Sequence, residues 1–267
     1  MNRITKKFRE LSEIRRSALI GYMTAGFPSL DFTGKLVMTM ESSGVDIIEL
    51  GVPFSDPVAD GPVIQRASEY ALRRGITLSG VINFVKGIRK ITEIPVLLMG
   101  YYNPLLAYGL EKFSKTAVNV GVDGLIVPDL PPEEGGELSK SCRKYGLSLV
   151  FLVAPTSPPE RIKKIASASF DFCYCVSVTG VTGERTGMSA GLKDFLISIR
   201  TRTRKPFVVG FGISTPEQVR CVAPYSDGVV LGSALVNMFL QEKNPKIALR
   251  KACSLISRMA GSLNGPG

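Results

Sequence analysis

The sequence predicts a single (β/α)₈ barrel of parallel strands, with one extra helix at its N-terminus. Eight short apolar runs alternate with helix-length amphipathic segments. The units recur about every thirty residues, the length of a strand–helix–strand repeat. No linker-like stretch interrupts the alternation, so residues 1–267 are expected to form one domain.

The strand-like runs are short and almost wholly apolar, which is typical of parallel strands buried on both faces. They cover residues 18–24, 46–50, 96–100, 124–127, 149–153, 172–177, 207–210 and 228–231. We expect each run to form one strand of the barrel wall.

The segments between these runs carry the apolar periodicity of helices that pack on a sheet. They cover residues 32–43, 78–91, 111–120, 133–145, 159–168, 192–201, 216–222 and 245–259. Residues 3–16 precede the first strand, and we expect this basic, amphipathic segment to cover the bottom of the barrel.

A doubly wound open sheet is the alternative fold for such a pattern. That fold usually binds a dinucleotide with a G-x-G-x-x-G turn after its first strand. Here the first strand is followed by Ala25-Gly26-Phe27-Pro28. The barrel is therefore favoured over the open sheet.

Histidine is absent from the whole sequence, which narrows the possible chemistry. A Ser-His-Asp or Cys-His site and a histidine-ligated metal are excluded, and no metal site is predicted. Proton transfer must use Asp, Glu, Tyr, Lys or Cys side chains.

The net charge of +10 does not come with a nucleic-acid-binding motif, and the basic residues are spread over helix-like segments. Solvated helix faces and attraction of a small anionic substrate are favoured over nucleic-acid binding. No apolar run approaches the roughly 20 residues of a membrane span, and the N-terminus lacks a signal core. We expect a soluble cytoplasmic protein whose five cysteines are buried free thiols.

The clearest candidate for catalysis is Glu49, which interrupts the apolar second strand and precedes an acidic loop. A buried carboxyl group is costly unless it is paired, protonated or used, and burial raises its pKa as a general acid requires. Prolines at both ends of the loop make it a rigid platform for Asp56 and Asp60. Alternatively, these two aspartates are ordinary turn or cap residues.

A phosphate site is predicted after the seventh and eighth strands, where barrels often bind phosphate. Gly212 follows the seventh strand, and Gly232 and Ser233 open a helical segment after the eighth. Glycines let an anion approach backbone N–H groups at a helix N-terminus. Residues 178–189, after the sixth strand, are predicted to form a mobile lid, with a disordered surface loop as the alternative.

Nearly the whole chain, from about Phe8 to the last helix, resembles the family of tryptophan synthase alpha subunits. The resemblance rests on segments in the family's order. These are residues 22–26 (YMTAG), 49–62, 102–104 (YNP), 124–132 (GLIVPDLPP), 154–156 (APT), 180–183 (GVTG), 211–217 (FGISTPE) and 232–234 (GSA).

The resemblance implies a lyase that cleaves indole-3-glycerol phosphate into indole and glyceraldehyde 3-phosphate by a retro-aldol reaction. Glu49 matches the family's proton-shuttling acid and base, and Asp60 matches the carboxylate that faces the indole N–H. Two carboxyl groups in unlike environments can divide such roles.

The remaining site residues are carried over position by position. Tyr174 matches a tyrosine near the catalytic glutamate, and Thr182 matches a lid threonine that contacts Asp60. The matches to the phosphate cradle are Gly183, Gly212, Gly232 and Ser233, and the matches to the indole cleft are Tyr22, Met99 and Ile126. For Met99 and Ile126, core packing is equally acceptable, and packing is the favoured role of Tyr101 and Cys175.

The resemblance also implies a partner, the beta subunit of tryptophan synthase, in an alpha2beta2 heterotetramer. The beta subunit carries pyridoxal phosphate, so this chain is expected to hold no cofactor itself. Pro53 and Asp56 match surfaces facing the partner, and Asp56 is a candidate for communication between subunits. Val178 stands where better-known bacterial members have a lid arginine.

Three functional hypotheses stay open at this point. The chain is an alpha subunit that is activated by its partner, a stand-alone lyase that releases indole, or a catalytically weak subunit that mainly activates its partner. The presence of Glu49, Asp60 and the phosphate glycines argues against the last. An isomerase or aldolase acting on another phosphorylated sugar is more remote. A lysine-dependent aldolase is disfavoured because no Schiff-base lysine lies at a predicted strand end.

Overall fold

The computed structural model describes residues 2–176, 190–210 and 212–263 and confirms the predicted barrel. Within these ranges nine parallel strands form one sheet in the order β5-β4-β3-β2-β1-β9-β8-β7-β6. The strands are β1 Ala18–Thr24, β2 Ile47–Gly51, β3 Val96–Met99, β4 Gly124–Ile126, β5 Ser148–Val150, β6 Leu152–Val153, β7 Cys173–Val176, β8 Phe207–Gly210 and β9 Gly228–Leu231.

The two ends of this sheet are consecutive in the chain, and this closes the barrel. Only Phe151 separates β5, which pairs with β4, from β6, which pairs with β7. The predicted fifth strand at 149–153 therefore exists as two short pieces. The eight predicted runs therefore correspond to the nine strands of the barrel wall, because one run is divided into β5 and β6.

Twelve α-helices are present in the described ranges, and most lie between consecutive strands. They are α1 Arg3–Glu13, α2 Leu30–Ser42, α3 Pro62–Arg73, α4 Leu78–Ile88, α5 Tyr102–Tyr108, α6 Leu110–Val120, α7 Gly136–Tyr145, α8 Pro159–Ala168, α9 Ala190–Arg200, α10 Pro216–Val222, α11 Ser233–Gln241 and α12 Pro245–Gly261, with a 3₁₀ turn at Ala223–Tyr225. No helix in the described ranges is both long and apolar enough to cross a membrane.

Local capping explains where several helices begin. The side chains of Ser29 and Thr77 accept hydrogen bonds from the first turns of α2 and α4. Thr215 and Gln218 form a reciprocal capping box at the start of α10.

Two helices, α3 and α5, were not predicted from the sequence. Pro62, which was assigned to the rigid loop, is the first residue of α3. Proline is compatible with that position because the N–H it lacks has no intrahelical acceptor there. Helix α5 spans only seven residues and contains Pro104, so it is too short to show apolar periodicity.

Three of the five cysteines, Cys142, Cys173 and Cys175, are buried free thiols as predicted. The prediction was wrong for Cys221, which is half-buried, and for Cys253, which is exposed. Cys253 lies on α12, and its sulfur accepts a hydrogen bond from the Ser43 hydroxyl at 3.2 Å.

Helix α1 covers the bottom of the barrel, as predicted. Its first turn inserts the Ile4 side chain, which is fully buried, toward Gly124 in the barrel wall. The side chains of Asn2 and Arg3 bind Asp123, the residue directly before β4. The predicted helix at 3–16 ends earlier, at Glu13, and Arg15 adopts a positive φ of 54° in the turn toward β1.

Three aspartates tie neighbouring strands together at the bottom, directly before β2, β4 and β9. In each case the aspartate N–H donates to a carbonyl of the adjacent strand, and the carboxylate accepts the N–H of that same adjacent residue, at 2.8–2.9 Å. Each carboxylate also pairs with an arginine at 2.6–2.8 Å. The pairs are Asp46 with Arg16, Asp123 with Arg89 and Asp227 with Arg200.

The Asp123–Arg89 pair is buried, and we predict that Asp123→Ala lowers the free energy of unfolding by about 3–5 kcal/mol, because the substitution leaves a buried guanidinium without its carboxylate. Urea unfolding followed by circular dichroism would measure this. The control is Asp31→Ala, which removes an exposed pair with Lys35 and should cost about 1 kcal/mol or less. Equal losses in the two variants would contradict the prediction.

Candidate active site

Glu49 lies inside the barrel, at the third of the five residues of β2. Its side chain is 1 % exposed, and neither carboxyl oxygen completes a hydrogen bond within the described residues. Burial, helped by the nearby charge of Asp60, raises the pKa of Glu49 to about 8, although the facing Tyr174 side chain favours the charged form. The group is therefore mostly protonated at neutral pH and has a proton to give.

Two tyrosines flank Glu49 in the barrel interior. Tyr22 on β1 is in register with Glu49, and Tyr174 on β7 is in register with Leu152 on β6. Burial raises the pKa of both phenols well above their usual value, and the charges of Glu49 and Asp60 raise it further. Both hydroxyls are therefore neutral and can act as hydrogen-bond donors beside the carboxyl group.

Glycines on the barrel wall make room for these tyrosines, and the sequence analysis did not identify that role. A β-carbon at Gly51 would collide with the Tyr22 hydroxyl, and one at Gly210 would collide with the Tyr174 hydroxyl. Both glycines end their strands, where glycine is usually only a turn residue. Their strand-end positions alone could not have revealed which side chains they accommodate.

Asp60 lies in the loop after β2 and is half-buried. Burial raises its pKa to about 6, and an interaction with the Tyr101 hydroxyl opposes the rise. Asp60 acts on Glu49 in turn, since the charge of Asp60 is one cause of the raised pKa of Glu49. The site thus holds two neighbouring carboxyl groups of unlike pKa.

Tyr101 has a larger part in the site than the packing role expected for it. Its hydroxyl accepts a hydrogen bond from the Ala59 N–H at 3.0 Å, next to Asp60. Its ring stacks on Phe54, with 5.2 Å between ring centroids. Cys175, the other residue expected to pack, is fully buried.

Three residues of the predicted phosphate cradle, Gly212, Gly232 and Ser233, lie in the described part of the chain. Gly232 is the N-cap residue of α11, Ser233 is its first residue, and the first N–H groups of a helix have no intrahelical acceptor. Gly232 also lies against Tyr22, because a β-carbon there would sit 3.4 Å from the tyrosine β-carbon. Gly212 adopts a positive φ of 44° and faces space free of described atoms within 4 Å.

The other lid and cradle predictions lie outside the described residues. These are Thr182, Gly183 and Val178, which fall in the segment 177–189. Ser214 is described, but Gln218 accepts hydrogen bonds from its N–H and hydroxyl at 2.8 and 3.2 Å. An anion near α10 would therefore not find the Ser214 N–H free.

Met99 and Ile126 end β3 and β4 and are in register with each other. Met99 is also in register with Gly51, which faces the Tyr22 ring inside the barrel. Because residues in register on neighbouring parallel strands share a face, both side chains lie on the interior side. Ile126 is fully buried and Met99 is half-buried. They form an apolar wall beside the carboxyl pair.

The two residues predicted to face the partner differ in their exposure to solvent. Pro53 is buried, whereas Asp56 is exposed and accepts a hydrogen bond from the Ser55 hydroxyl at 2.5 Å. Asp56 lines a surface groove together with Phe54 and Val58, and Val58 is 81 % exposed. Asp56 thus belongs to the outer surface of the loop that carries Asp60.

The sequence and the fold both match known proteins over nearly their full length. A family model described as "Tryptophan synthase alpha chain" matches residues 8–263. A protein of that name from Geotalea daltonii is 46 % identical over 261 residues, with 98 % of this chain and 99 % of the relative covered. Another from Geobacter sulfurreducens is 49 % identical over 239 residues, covering 90 % of each chain.

Solved structures give the same result. The crystal structure of tryptophan synthase subunit alpha from Legionella pneumophila has a TM-score of 0.91 at 39 % identity and covers 99 % of both chains. A structure of tryptophan synthase from Mycobacterium tuberculosis, in an open form with the compound BRD0059 bound, has a TM-score of 0.89 at 33 % identity and covers both chains completely.

We predict that the raised pKa of Glu49 makes the protein less stable as the pH rises. An unfolded glutamate titrates near pH 4.5, whereas Glu49 in the folded protein titrates near pH 8. Between these values the folded state binds more protons, so the free energy of unfolding falls with increasing pH. A shift of this size corresponds to roughly 3–5 kcal/mol. Urea unfolding at pH 5 and pH 8 would measure the loss.

Glu49→Gln is the matched control because it cannot titrate, and it should lose less stability between the two pH values. Asp60 contributes a change of the same sign in both proteins, so the difference between them isolates Glu49. If the wild type and the variant lost equal stability, Glu49 would not have a raised pKa.

Proposed function

The chain belongs to the tryptophan synthase alpha chain family, and from this we propose that Glu49 and Asp60 divide the proton transfers of the family's lyase reaction. The protein is a carbon–carbon lyase that cleaves indole-3-glycerol phosphate into indole and glyceraldehyde 3-phosphate, and it supplies indole to a beta subunit for L-tryptophan biosynthesis. The observation that supports the residue assignment best is the unpaired, buried carboxyl group of Glu49 near a second carboxyl group of lower pKa.

The reaction has three requirements. A proton must reach C3 of the indole ring, the positive charge that then forms on the ring nitrogen must be stabilised, and the C3′ hydroxyl must lose its proton. The bond between C3 and C3′ then breaks, its electron pair returns to the indole ring, and the hydroxyl-bearing carbon becomes an aldehyde. One acid that becomes a base can perform both proton transfers.

Glu49 meets the first and third requirements. With a pKa of about 8 it is mostly protonated at neutral pH and can give its proton to C3. The resulting carboxylate is buried and lacks hydrogen-bond partners among the described residues, so it is a strong base for the C3′ hydroxyl proton. The proton gained equals the proton given, and Glu49 returns to its starting state.

Asp60 meets the second requirement. With a pKa of about 6 it is mostly ionised at neutral pH, and its carboxylate can accept a hydrogen bond from the indole N–H while positive charge develops there. The half-buried position strengthens this interaction because less water screens it. Tyr22, Met99 and Ile126 offer the apolar wall that an indole ring needs, and Tyr174 offers a neutral hydroxyl beside Glu49.

The substrate phosphate would bind at the other side of the mouth. The N-terminus of α11 offers backbone N–H groups at Gly232 and Ser233, and Gly212 leaves open space beside them. Because Gly232 touches Tyr22, one ligand can span the phosphate site and the carboxyl pair. Thr182 and Gly183 are proposed to complete the site from the lid.

We further propose that the chain is a single barrel domain that works in the cytoplasm as one of the two alpha subunits of an alpha2beta2 heterotetramer. Pyridoxal phosphate belongs to the beta subunit, so the carboxyl groups described here perform their reaction without a cofactor. Pro53 and Asp56 are proposed to face the partner, since Asp56 and the highly exposed Val58 lie on the outer surface of the loop that carries Asp60. A stand-alone lyase would need no such surface.

The direct test of the residue assignment is indole release from indole-3-glycerol phosphate. Glu49→Gln should lower kcat by about 10²- to 10⁴-fold because it removes the general acid and base. Asp60→Asn should lower it by about 10²- to 10³-fold because it removes the stabilising charge. For the wild type, kcat/KM should follow a bell-shaped curve with limbs near pH 6, where Asp60 must be ionised, and pH 8, where Glu49 must be protonated.

The exposed residues Glu13 and Asp31 provide matched controls, and Glu13→Gln and Asp31→Asn should leave kcat unchanged. Full activity in Glu49→Gln would rule out its assignment as the acid and base. Loss of activity in the controls as well would indicate a general loss of structure.

The partner proposal predicts that a tryptophan synthase beta subunit forms a complex of two copies of each chain and raises the rate of indole release. Light scattering of the mixture would give the mass, and the assay would be repeated with and without the partner. Equally fast release without the partner, and no complex, would favour the stand-alone lyase.

A further inference from the structure

Tyr101 connects the loop that carries Asp60 to the top of the neighbouring strands. It follows β3 as the N-cap residue of α5, and its side chain is 4 % exposed. We propose that Tyr101 is a positioning residue, which holds the Asp60 carboxylate in place through the Ala59 N–H and through its own hydroxyl proton. This inference rests on the proposed role of Asp60.

The hydroxyl of Tyr101 interacts with two consecutive residues of the loop after β2, Ala59 and Asp60. Its oxygen accepts a hydrogen bond from the Ala59 N–H at 3.0 Å, which leaves the hydroxyl proton free for another acceptor. The Asp60 carboxylate is next in the chain, and its interaction with Tyr101 lowers the Asp60 pKa against the effect of burial. A single phenol thus contacts both the backbone and the side chain of the loop at the catalytic position.

The ring of Tyr101 is fixed from two sides. One face stacks on Phe54 at an interplanar angle of 29°. Beside the ring lies an enclosed apolar gap with no room for a water molecule, lined by Leu98, Leu105 and Phe113 among others. The hydroxyl is the only polar atom of the side chain, and its partners are in the 54–60 loop.

The backbone at Tyr101 is fixed as well. Both carboxylate oxygens of Asp129 accept the N–H of Tyr102, at 3.0 and 3.2 Å. Asp129 lies in the loop after β4, so it anchors the start of α5 to the next part of the barrel rim. A rigid tyrosine holds a carboxylate more accurately than a loop can alone, because less side-chain entropy remains to be lost when the substrate binds.

Several ionisable groups face Asp60 and bear on any pH test. They are Tyr22 on β1, Glu49 on β2, Tyr101 after β3 and Tyr174 on β7, and the charge of Asp129 also reaches Tyr101. The tyrosines are neutral near pH 6, because a phenol ordinarily has a pKa of about 10 and burial raises the pKa of each one further. Asp60 has a pKa of about 6 and Glu49 a pKa of about 8, so of this carboxyl pair it is Asp60 on which the acid limb reports.

The test uses Tyr101→Phe in the full chain, which keeps the ring and its stacking but removes the hydroxyl. We expect kcat for indole release to fall about 10- to 100-fold with little change in KM, because the carboxylate is misplaced rather than lost. The acid limb of kcat/KM should move to higher pH, because the interaction that lowers the Asp60 pKa is gone. Asp60→Asn and the wild type are measured in parallel.

Tyr102→Phe is the matched control, since it removes a neighbouring hydroxyl while the backbone bond to Asp129 remains. Its kcat and pH profile should equal those of the wild type. Phe54→Leu keeps the Tyr101 hydroxyl but removes the stacked ring, and it should lower kcat less than Tyr101→Phe does. Thermal melting of each variant verifies that the fold is intact.

The outcomes distinguish the positioning role of Tyr101 from the proposed role of Asp60. Wild-type kcat and an unmoved acid limb in Tyr101→Phe, with Asp60→Asn inactive, would overturn the positioning role alone. A rise in KM with unchanged kcat would also overturn it, because that pattern indicates a binding contact. Full activity in Asp60→Asn would overturn the proposed role of Asp60 instead.

Discussion

A carboxyl group buried inside a closed parallel barrel is the constraint on which the rest of this site depends. The closed wall of parallel strands leaves the Glu49 side chain only 1 % exposed, so Glu49 keeps its proton until the pH approaches 8. The same burial that makes Glu49 costly for stability gives it a pKa suited to acid and base work near neutral pH. The burial of one side chain therefore affects both the stability of the protein and its proposed chemistry.

Large tyrosines pack against glycines in the space around this carboxyl group. Tyr22 and Tyr174 are large and point into the barrel, and they fit only because Gly51 and Gly210 carry no side chains where the hydroxyl ends of the rings lie. A packed interior of bulky apolar residues would fill that volume and leave no mouth for a substrate. Closely packed tyrosines and glycines instead leave neutral hydroxyls close to the acid.

The two ends of the barrel divide the work between stability and function. At the bottom, Asp46, Asp123 and Asp227 are fully engaged with backbone groups and arginines. At the top, the carboxyl oxygens of Glu49 have no such partners in the described part of the chain. The aspartates at the bottom have their hydrogen-bond partners and stabilise the barrel wall. The polar groups at the top can therefore stay available for a ligand.

The sequence by itself determined the barrel and most strand positions, and it singled out Glu49 and Asp60 as candidates for the reactive pair and the glycines after β8 and β9 as candidates for a phosphate site. Apolar runs, their spacing and an acidic residue within an apolar strand are local patterns, so they can be recognised in the sequence alone. Only the tertiary structure decided the split of the fifth strand, the short helix α5, and the contact of Tyr101 with Ala59, which lies 42 positions away in the chain. Such contacts depend on which side chains the closed barrel brings together, and no local pattern encodes that.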